Sequence, residues 1–400
     1  MQDRDARWEH ELTRWFEPFS SAFRNKPQRR WAPVYVRGLL MPGQRKSVEP
    51  MAERVCSGET QQLHHFVSAA SWETGPLEEV LAQRADALVG GDDAHLIIDD
   101  TALVKKGEHS VGVAHQYCGE LGKQANCQVL VSVTLCRDEV PVPVALRLHL
   151  PESWARDAGR RARAAVPPQI SYRPKWKMAL EEIERLIAAG VRFADVLADA
   201  GYGSVAEFRR GLDEMKLTYA VGVQSHQKVY VASVRLRGEK TPTGRNLKWP
   251  LVSTKPRSVR DAIAAQGDGA FWKVTWRNGT KGPLTAEFAT MRIRVADGPV
   301  NSEHKHLPGV EQWLVAERRS NGVMKYYFTN HAADASHETL AAAIKARWAC
   351  EQAHEQMKQE LGLDHFEGRS WRGIHHHAVL TMIAFAFLQH LRLRENKAAA

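Results

Sequence analysis

The sequence predicts an α/β protein: a mixed sheet with flanking helices, interrupted by a β-rich insertion and preceded by a mainly helical region. Three observations carry that expectation. Apolar and β-branched runs at 95–100, 111–117, 128–135 and 140–148 are joined by short glycine or charged turns, so the sheet opens antiparallel. Helical spacing of Met178, Leu180, Ile183, Leu186 and Ile187 then leads through Gly190 to further apolar runs at 193–198 and 218–223. The last helix of this plan is postponed beyond residue 330, and strand-like runs fill the delay.

Residues 1–88 have helical periodicity and are rich in Trp and Arg. From Ala94 the texture changes to strands, and 89–223 reads as the first part of a sheet-based core. Within it, Arg156, Arg160, Arg161, Arg163, Arg173, Lys175 and Lys177 form a basic stretch broken by Pro167, Pro168 and Pro174, expected to be more loop than helix. Gly201-Tyr-Gly203 turns the chain, and Ser204 is placed to cap a helix ending near Met215. Residues 224–330, with strand-like runs at 271–277, 285–295, 312–318 and 326–329, read as a β-rich insertion. Residues 331–394 supply the second part of the core: Ser336 caps a long helix running to about Leu361 and stopped by Gly362, and 374–394 is the last helix.

Composition narrows the function. Four hundred residues with 44% hydrophobic content can bury a full core, and a net charge of +9 favours a polyanionic partner, nucleic acid or an acidic membrane surface. The longest apolar run, 378–388, is shorter than the roughly 18 residues that span a bilayer, so it reads as a buried helix and no membrane partner is expected. Cys56, Cys118, Cys127, Cys136 and Cys350 are widely spread, without a CxxC pair or a secretory leader, which indicates neither a disulfide framework nor a zinc knuckle and points to a reducing cytoplasm. His375, His376 and His377 are adjacent, and neighbours on a helix point in different directions, so packing at a helix start outweighs a shared metal. Between Arg24 and Lys46 the basic residues, including Arg29, Arg30 and Arg45, stand with no acidic one and with Trp31 and Tyr35 interleaved. That mixture suits phosphate contacts with packing against a duplex, and equally a solvated loop face.

Three carboxylates carry the chemistry. Asp99, in His95-Leu-Ile-Ile-Asp99-Asp100-Thr101, and Asp199, in Leu-Ala-Asp199-Ala-Gly-Tyr-Gly203, each follow an apolar run that reads as a buried strand. Glu351 lies in the late helical pattern, in Arg347-Trp-Ala-Cys-Glu351. An acid at the end of a buried strand costs free energy unless something cationic meets it, and three such acids can converge on divalent metal. Strand alternation puts Asp99 and Asp100 on opposite faces and leaves open which one faces the site. Arg347, Glu351 and Lys358 fall on nearly one helical stripe, which suits an active-site wall or ordinary surface ion pairs.

Asp-Asp-Thr after one strand, Leu-Ala-Asp-Ala-Gly-Tyr-Gly after another and Arg347-Trp-x-x-Glu351 followed by Lys358 together resemble the DDE transposases of bacterial insertion sequences. The branch most similar interrupts an RNase H-like core with a β-strand insertion and carries a Tyr-Arg-Glu-Lys signature around the third acid. The stretch 358–377 is similar to the C-terminal part of such enzymes, and the resemblance spans roughly 35–392. The signature tyrosine would fall at Ile344, so no role that needs its hydroxyl is carried over.

The resemblance implies an RNase H-like mixed sheet, a helical N-terminal DNA-binding region, and catalysis and metal binding by Asp99, Asp199 and Glu351, with Asp100 as second choice for the first acid. Two Mg²⁺ or Mn²⁺ ions are implied, with water cutting the transposon end and the freed 3′-hydroxyl then attacking target DNA. Arg347 and Lys358 are expected at phosphates of that end. Lys105 and Lys106 are expected to face DNA or a solvated turn. Trp276 and Trp249 are candidates to stack on an extruded base, with core packing the favoured reading. The implied partners are double-stranded DNA, as terminal inverted repeats and target, and a second copy of the chain in the DNA complex, at the nucleoid of a bacterial cytoplasm. Two competing readings are a catalytically silent DNA-binding repressor or domesticated factor, and a hydrolytic DNA nuclease of the same core without strand transfer.

Overall fold

A computed structural model describes residues 2–237, 249–279, 282–301 and 305–399. They divide into two compact units, Met1–Ala194 with Trp348–Ala400, and Asp195–Arg347.

In the first unit the N-terminal region is helical, as Gln2–Ser20, Lys26–Leu40, Val48–Val55, Thr60–Ser68 and Gly75–Val89. Asn25 opens the second of these by accepting the Gln28 amide at 3.0 Å, with Pro27 in the first turn. Its buried stripe of Trp31, Tyr35 and Leu39, spaced by four, packs with the C-terminal helix Trp371–Ala399. Trp31 and Tyr35 therefore belong to the core and not to a DNA surface, because the helix turns both toward its apolar side.

The strand Lys123–Arg137 is central. It pairs antiparallel with His95–Val104 along one edge, and along the other with Ala114–Cys118 and then Val140–Leu148. Residues 127–136 are buried without a break, since helices lie on the sheet and remove the polar alternation of a half-exposed strand. Pro141 and Pro143 are tolerated because, among the described residues, Val140–Leu148 pairs along one edge alone. Arg147 of that strand is clasped by Glu78 of Gly75–Val89 and by Glu182 of Lys175–Ala188, with Nη1 to Glu78 Oε1 at 2.6 Å and Nε to Glu182 Oε1 at 2.5 Å. Burial pushes the Glu78 carboxyl up, but the Arg147 hydrogen bonds and charge hold it below the usual carboxylate range.

In the second unit Asp195–Ala198 runs parallel to Thr218–Val223, joined through the helices Ala200–Gly203 and Ala206–Glu214. Thr218–Val223 pairs antiparallel with Met324–Thr329, which leads through Glu311–Arg318 to Gly282–Val295. Gly282–Val295 also takes Trp272–Gly279 and Lys228–Val231. The strands of 224–330 thus extend the pairing of Asp195–Ala198 with Thr218–Val223, in the compact unit Asp195–Arg347. The physical reason is that Met324–Thr329 satisfies the backbone edge of Thr218–Val223.

Two local expectations change. Ser204 does not cap the following helix, which starts after Val205; its hydroxyl accepts the Gln224 amide at 3.0 Å instead. The helix capped by Ser336, whose Oγ accepts the Thr339 amide at 3.1 Å, breaks at Arg347 into His337–Ala346 and Trp348–Gln359. No proline or glycine marks that break, so periodicity reads through it. Gly362 does stop the chain, at φ +67°, as a glycine beyond a helix end should. Among the described residues, no helix is long and apolar enough to cross a membrane.

The histidine triplet packs. His377 is buried; Tyr35 donates its hydroxyl to Nδ1 at 2.9 Å, which leaves Nε2–H to donate to the Gly362 and Leu363 carbonyls at 3.1 and 3.2 Å. His376 stacks on Trp72 with ring centroids 3.4 Å apart. Burial pushes both imidazoles down from 6.5 to about 4. A histidine with a depressed folded-state pKa favours folding above its unfolded value and loses that contribution as pH falls toward the folded one. The melting temperature is therefore expected to fall between about pH 6.5 and pH 4, and His377→Gln should flatten that fall; melting curves across the pH series check both. Arg147→Ala should cost about 3–5 kcal/mol, because buried Glu78 loses its cation and Glu182 keeps only Arg185, as read from denaturant unfolding.

Candidate active site

The register of His95–Val104 against Lys123–Arg137 separates the two candidate first acids. Asp99 stands opposite Ser132 and Asp100 opposite Val131. Directly opposed residues share a sheet face, and successive residues alternate. Asp100 ion-pairs with Lys175, in the first turn of Lys175–Ala188. Arg147, opposite Val131 from the other edge, reaches Glu182 of the same helix. On the other face, Ser132 Oγ lies 2.8 Å from Nε2 of His354, in Trp348–Gln359. Asp99 therefore shares its face with the helix that carries Glu351, and Asp100 lies on the face of Lys175–Ala188. One oxygen of Asp99 accepts the Asp100 amide at 2.8 Å. Asp99 is half-buried and Glu351, in the first turn of its helix, is exposed.

Asp199 belongs to the second unit. It ends Asp195–Ala198 and caps the turn Ala200–Gly203, its Oδ1 accepting the Gly201 amide at 2.9 Å and the Tyr202 amide at 3.2 Å. The turn lies tight against Thr218–Val223: a Cβ on Gly203 would stand 2.1 Å from the Gly222 carbonyl oxygen. Buried Arg209 closes the arrangement, donating to the Gly203 carbonyl at 2.5 Å and to Asp297 Oδ2 at 2.7 Å. Gly203→Ala is expected to destabilise the chain by about 1–3 kcal/mol through overpacking against backbone, and Ala at the open Gly269, where a Cβ meets nothing within 4 Å, should not; denaturant unfolding of both checks this.

The expected DNA-contacting cations fall into different environments. Lys46 is 4% exposed, and its ammonium donates to the Leu39 carbonyl at 2.7 Å and to that of Met41. Burial pushes it down to about 8, with Arg54 adding to the effect. The ammonium caps carbonyls at the end of Lys26–Leu40. Lys105 is likewise turned inward, to the carbonyls of Phe366 at 2.8 Å and Asp364 at 3.3 Å, and burial lowers its pKa. Lys106 is exposed. Lys105, Lys106, Arg45, His109 and Glu367 contribute to the lining of an open cleft of about 680 Å³. Exposed Arg45 pairs with Glu367, Arg30 with Glu59 at 2.6 Å, and Arg29 donates to the Phe23 carbonyl at 3.0 Å. Lys358 pairs with Glu120 at 2.7 Å. Arg347 follows His337–Ala346 at the helix break. Trp276 is half-buried with the Lys345 ammonium 3.9 Å from its ring centroid, and Trp249 is also half-buried. Ile344, at the signature tyrosine position, is a buried core residue.

Among the described residues, no three His, Cys, Asp or Glu side chains are gathered closely enough to hold a metal ion. The donor chemistry of the three acids still fits a hard cation, since carboxylate oxygens suit Mg²⁺ or Mn²⁺ and backbone amides already orient one oxygen of Asp99 and of Asp199. Sequence reading did not single out Ser132, His354 or Arg209, and took Lys175 only as part of a basic stretch. Each acts through a partner distant in the chain, and no local motif announces it.

Comparison with known proteins places the chain. The model of the DDE superfamily endonuclease family matches residues 18–283, a span that includes Asp99 and Asp199 and ends before Glu351. A probable transposase for insertion sequence element IS701 from Microchaete diplosiphon is 28% identical over 247 residues, 60% of each chain, so the match spans about three fifths of that relative's length. A cryo-EM structure of the piggyBac transposase synaptic complex with hairpin DNA aligns at a TM-score of 0.42 and 11% identity, covering 94% of this chain and 68% of that one. The chain belongs to the DDE superfamily endonuclease family.

Proposed function

We propose that this chain is the transposase of an insertion sequence, cutting DNA at the ends of its element and joining the freed 3′-hydroxyl to target DNA. One observation carries the reading: in a DDE family chain, Asp99 projects from the sheet face on which the helix of Glu351 is anchored, while Asp100 is taken by Lys175 on the opposite face. Asp99, Asp199 and Glu351 are the proposed catalytic carboxylates of an RNase H-like core, with 224–330 inserted into it and 1–88 contributing DNA contacts.

Two Mg²⁺ or Mn²⁺ ions held by these carboxylates would activate the attacking oxygen and offset charge on the leaving one. The chain's own residues do the rest. Asp199 is held in place by two backbone amides, and Asp99 by one, so neither carboxylate is free to swing. Arg347 and Lys358 would meet phosphates of the DNA end, Arg through its planar fork and Lys as a point charge that exchanges Glu120 for phosphate. Arg29, Arg30, Arg45 and Lys106 are the exposed cations proposed for the sequence-independent part of DNA binding. A second copy of the chain is proposed in the DNA complex, because two ends must be brought together.

The test uses a labelled terminal-repeat duplex, Mg²⁺ and a supercoiled plasmid. Joined product supports the proposal; nicking alone indicates a nuclease, and binding without either a repressor. Asp99→Ala, Asp199→Ala and Glu351→Ala are each expected to lower cleavage by at least about 10³-fold with end binding kept, whereas Asp100→Asn should keep most of it. Wild-type cleavage by any of the three alanine variants would remove that residue from the site.

A further inference from the structure

We infer that Ser132, His354 and Cys350 form a positioning device that sets the helix of Glu351 against the strand of Asp99. This rests on the proposed function and adds residues that contact neither DNA nor metal. Ser132 is the cross-strand partner of Asp99, so the two side chains leave the sheet on the same face. Its hydroxyl lies 2.8 Å from Nε2 of His354, which follows Glu351 by one helical turn. The same nitrogen lies 3.5 Å from the Cys350 sulfur, and that sulfur lies 3.4 Å from Thr134 Oγ1. Thr134 stands opposite Ile97, again on the face of Asp99.

All four side chains are buried: Ser132, Thr134 and Cys350 at 0% exposure and His354 at 7%. Burial makes the chain of contacts directional. Apolar packing alone lets a helix slide or roll over a sheet, but buried polar groups are satisfied in few arrangements. A shift of one residue turns a helix by about 100° and moves it about 1.5 Å, which would carry His354 and Cys350 away from the Ser132 and Thr134 hydroxyls. Glu351 lies on the exposed side of the same helix, so the buried row fixes the angle at which its carboxylate is presented. Metal ligation tolerates only about 0.2 Å in ligand distance. The polar row is thus the device that holds Glu351 within reach of an ion shared with Asp99.

The experiment measures Mn²⁺ binding to the metal-free full-length chain by calorimetry, together with the Mn²⁺ dependence of plasmid nicking, for Ser132→Ala, His354→Leu and His354→Gln. Ser132→Ala and His354→Leu are expected to raise the Mn²⁺ dissociation constant and the half-saturating Mn²⁺ concentration by about 10–100-fold, as loss of outer partners of metal ligands does, with DNA binding unchanged. His354→Gln keeps a side-chain donor and should recover most of the loss. A Mn²⁺ dissociation constant within about twofold of wild type for Ser132→Ala overturns the inference, and that variant decides the matter should His354→Leu fail to fold. Asp99→Ala and Glu351→Ala are run alongside. If they too bind Mn²⁺ and nick as wild type does, the proposed function itself falls; if they lose both while Ser132→Ala loses neither, the positioning role alone falls.

Discussion

The clasp of Arg147 by Glu78 and Glu182 is the interaction on which the first unit depends. One guanidinium, donating along both edges of its fork, ties the strand Val140–Leu148 to a helix from the N-terminal region and to the helix that precedes the second motif. Asp100, Val131 and Arg147 form one row across three strands, and the two anionic or cationic ends of that row meet Lys175 and Glu182 of a single helix. Seven helical residues rise about 10 Å, close to the two strand spacings of about 4.8 Å that separate the ends of the row. Charge complementarity at both ends therefore sets how that helix lies, and the cost of an unpaired buried charge resists any other setting.

The adjacent row does different work. Asp99 and Ser132 face the other way, toward the helix Trp348–Gln359, where Ser132, His354, Cys350 and Thr134 make buried polar contacts. Buried hydroxyl, thiol and imidazole groups fix a helix because they are satisfied in few arrangements. The pleat of one strand thus sends neighbours in sequence to different faces: Asp100 ties the sheet to Lys175, and Asp99 is the acid proposed for catalysis.

Basic residues divide in the same manner. Lys46 and Lys105 sit in stretches that read as DNA-facing, yet both ammonium groups are turned inward onto backbone carbonyls, where they tie the segment 41–46 and the segment 364–366 into the fold. Carbonyls left at a helix end need a donor, and a lysine stem is long enough to bring one under an apolar surface. Arg29, Arg30, Arg45 and Lys106 remain on the surface. Net charge alone therefore overstates the number of cations offered to a polyanion.

What was legible without coordinates was what is local. Runs at 140–148 and 218–223, the helix with Gly190 behind it, the Ser336 cap and the Gly362 stop all depend on neighbours within a few residues, and alternation, periodicity and capping report such neighbours directly. The family that the acidic motifs resemble was legible for the same reason, and the family match agrees with that resemblance. Only tertiary structure decided which face Asp99 takes, that Lys46 and Lys105 are spent inside, that Trp31 and Tyr35 are core, and that the late helix breaks at Arg347. Each of these depends on a partner far along the chain: Ser132 is 222 residues from His354, and Tyr35 is 342 residues from His377. A side chain's use is set by what surrounds it after folding, and separations of that size leave no periodic trace in the order of residues.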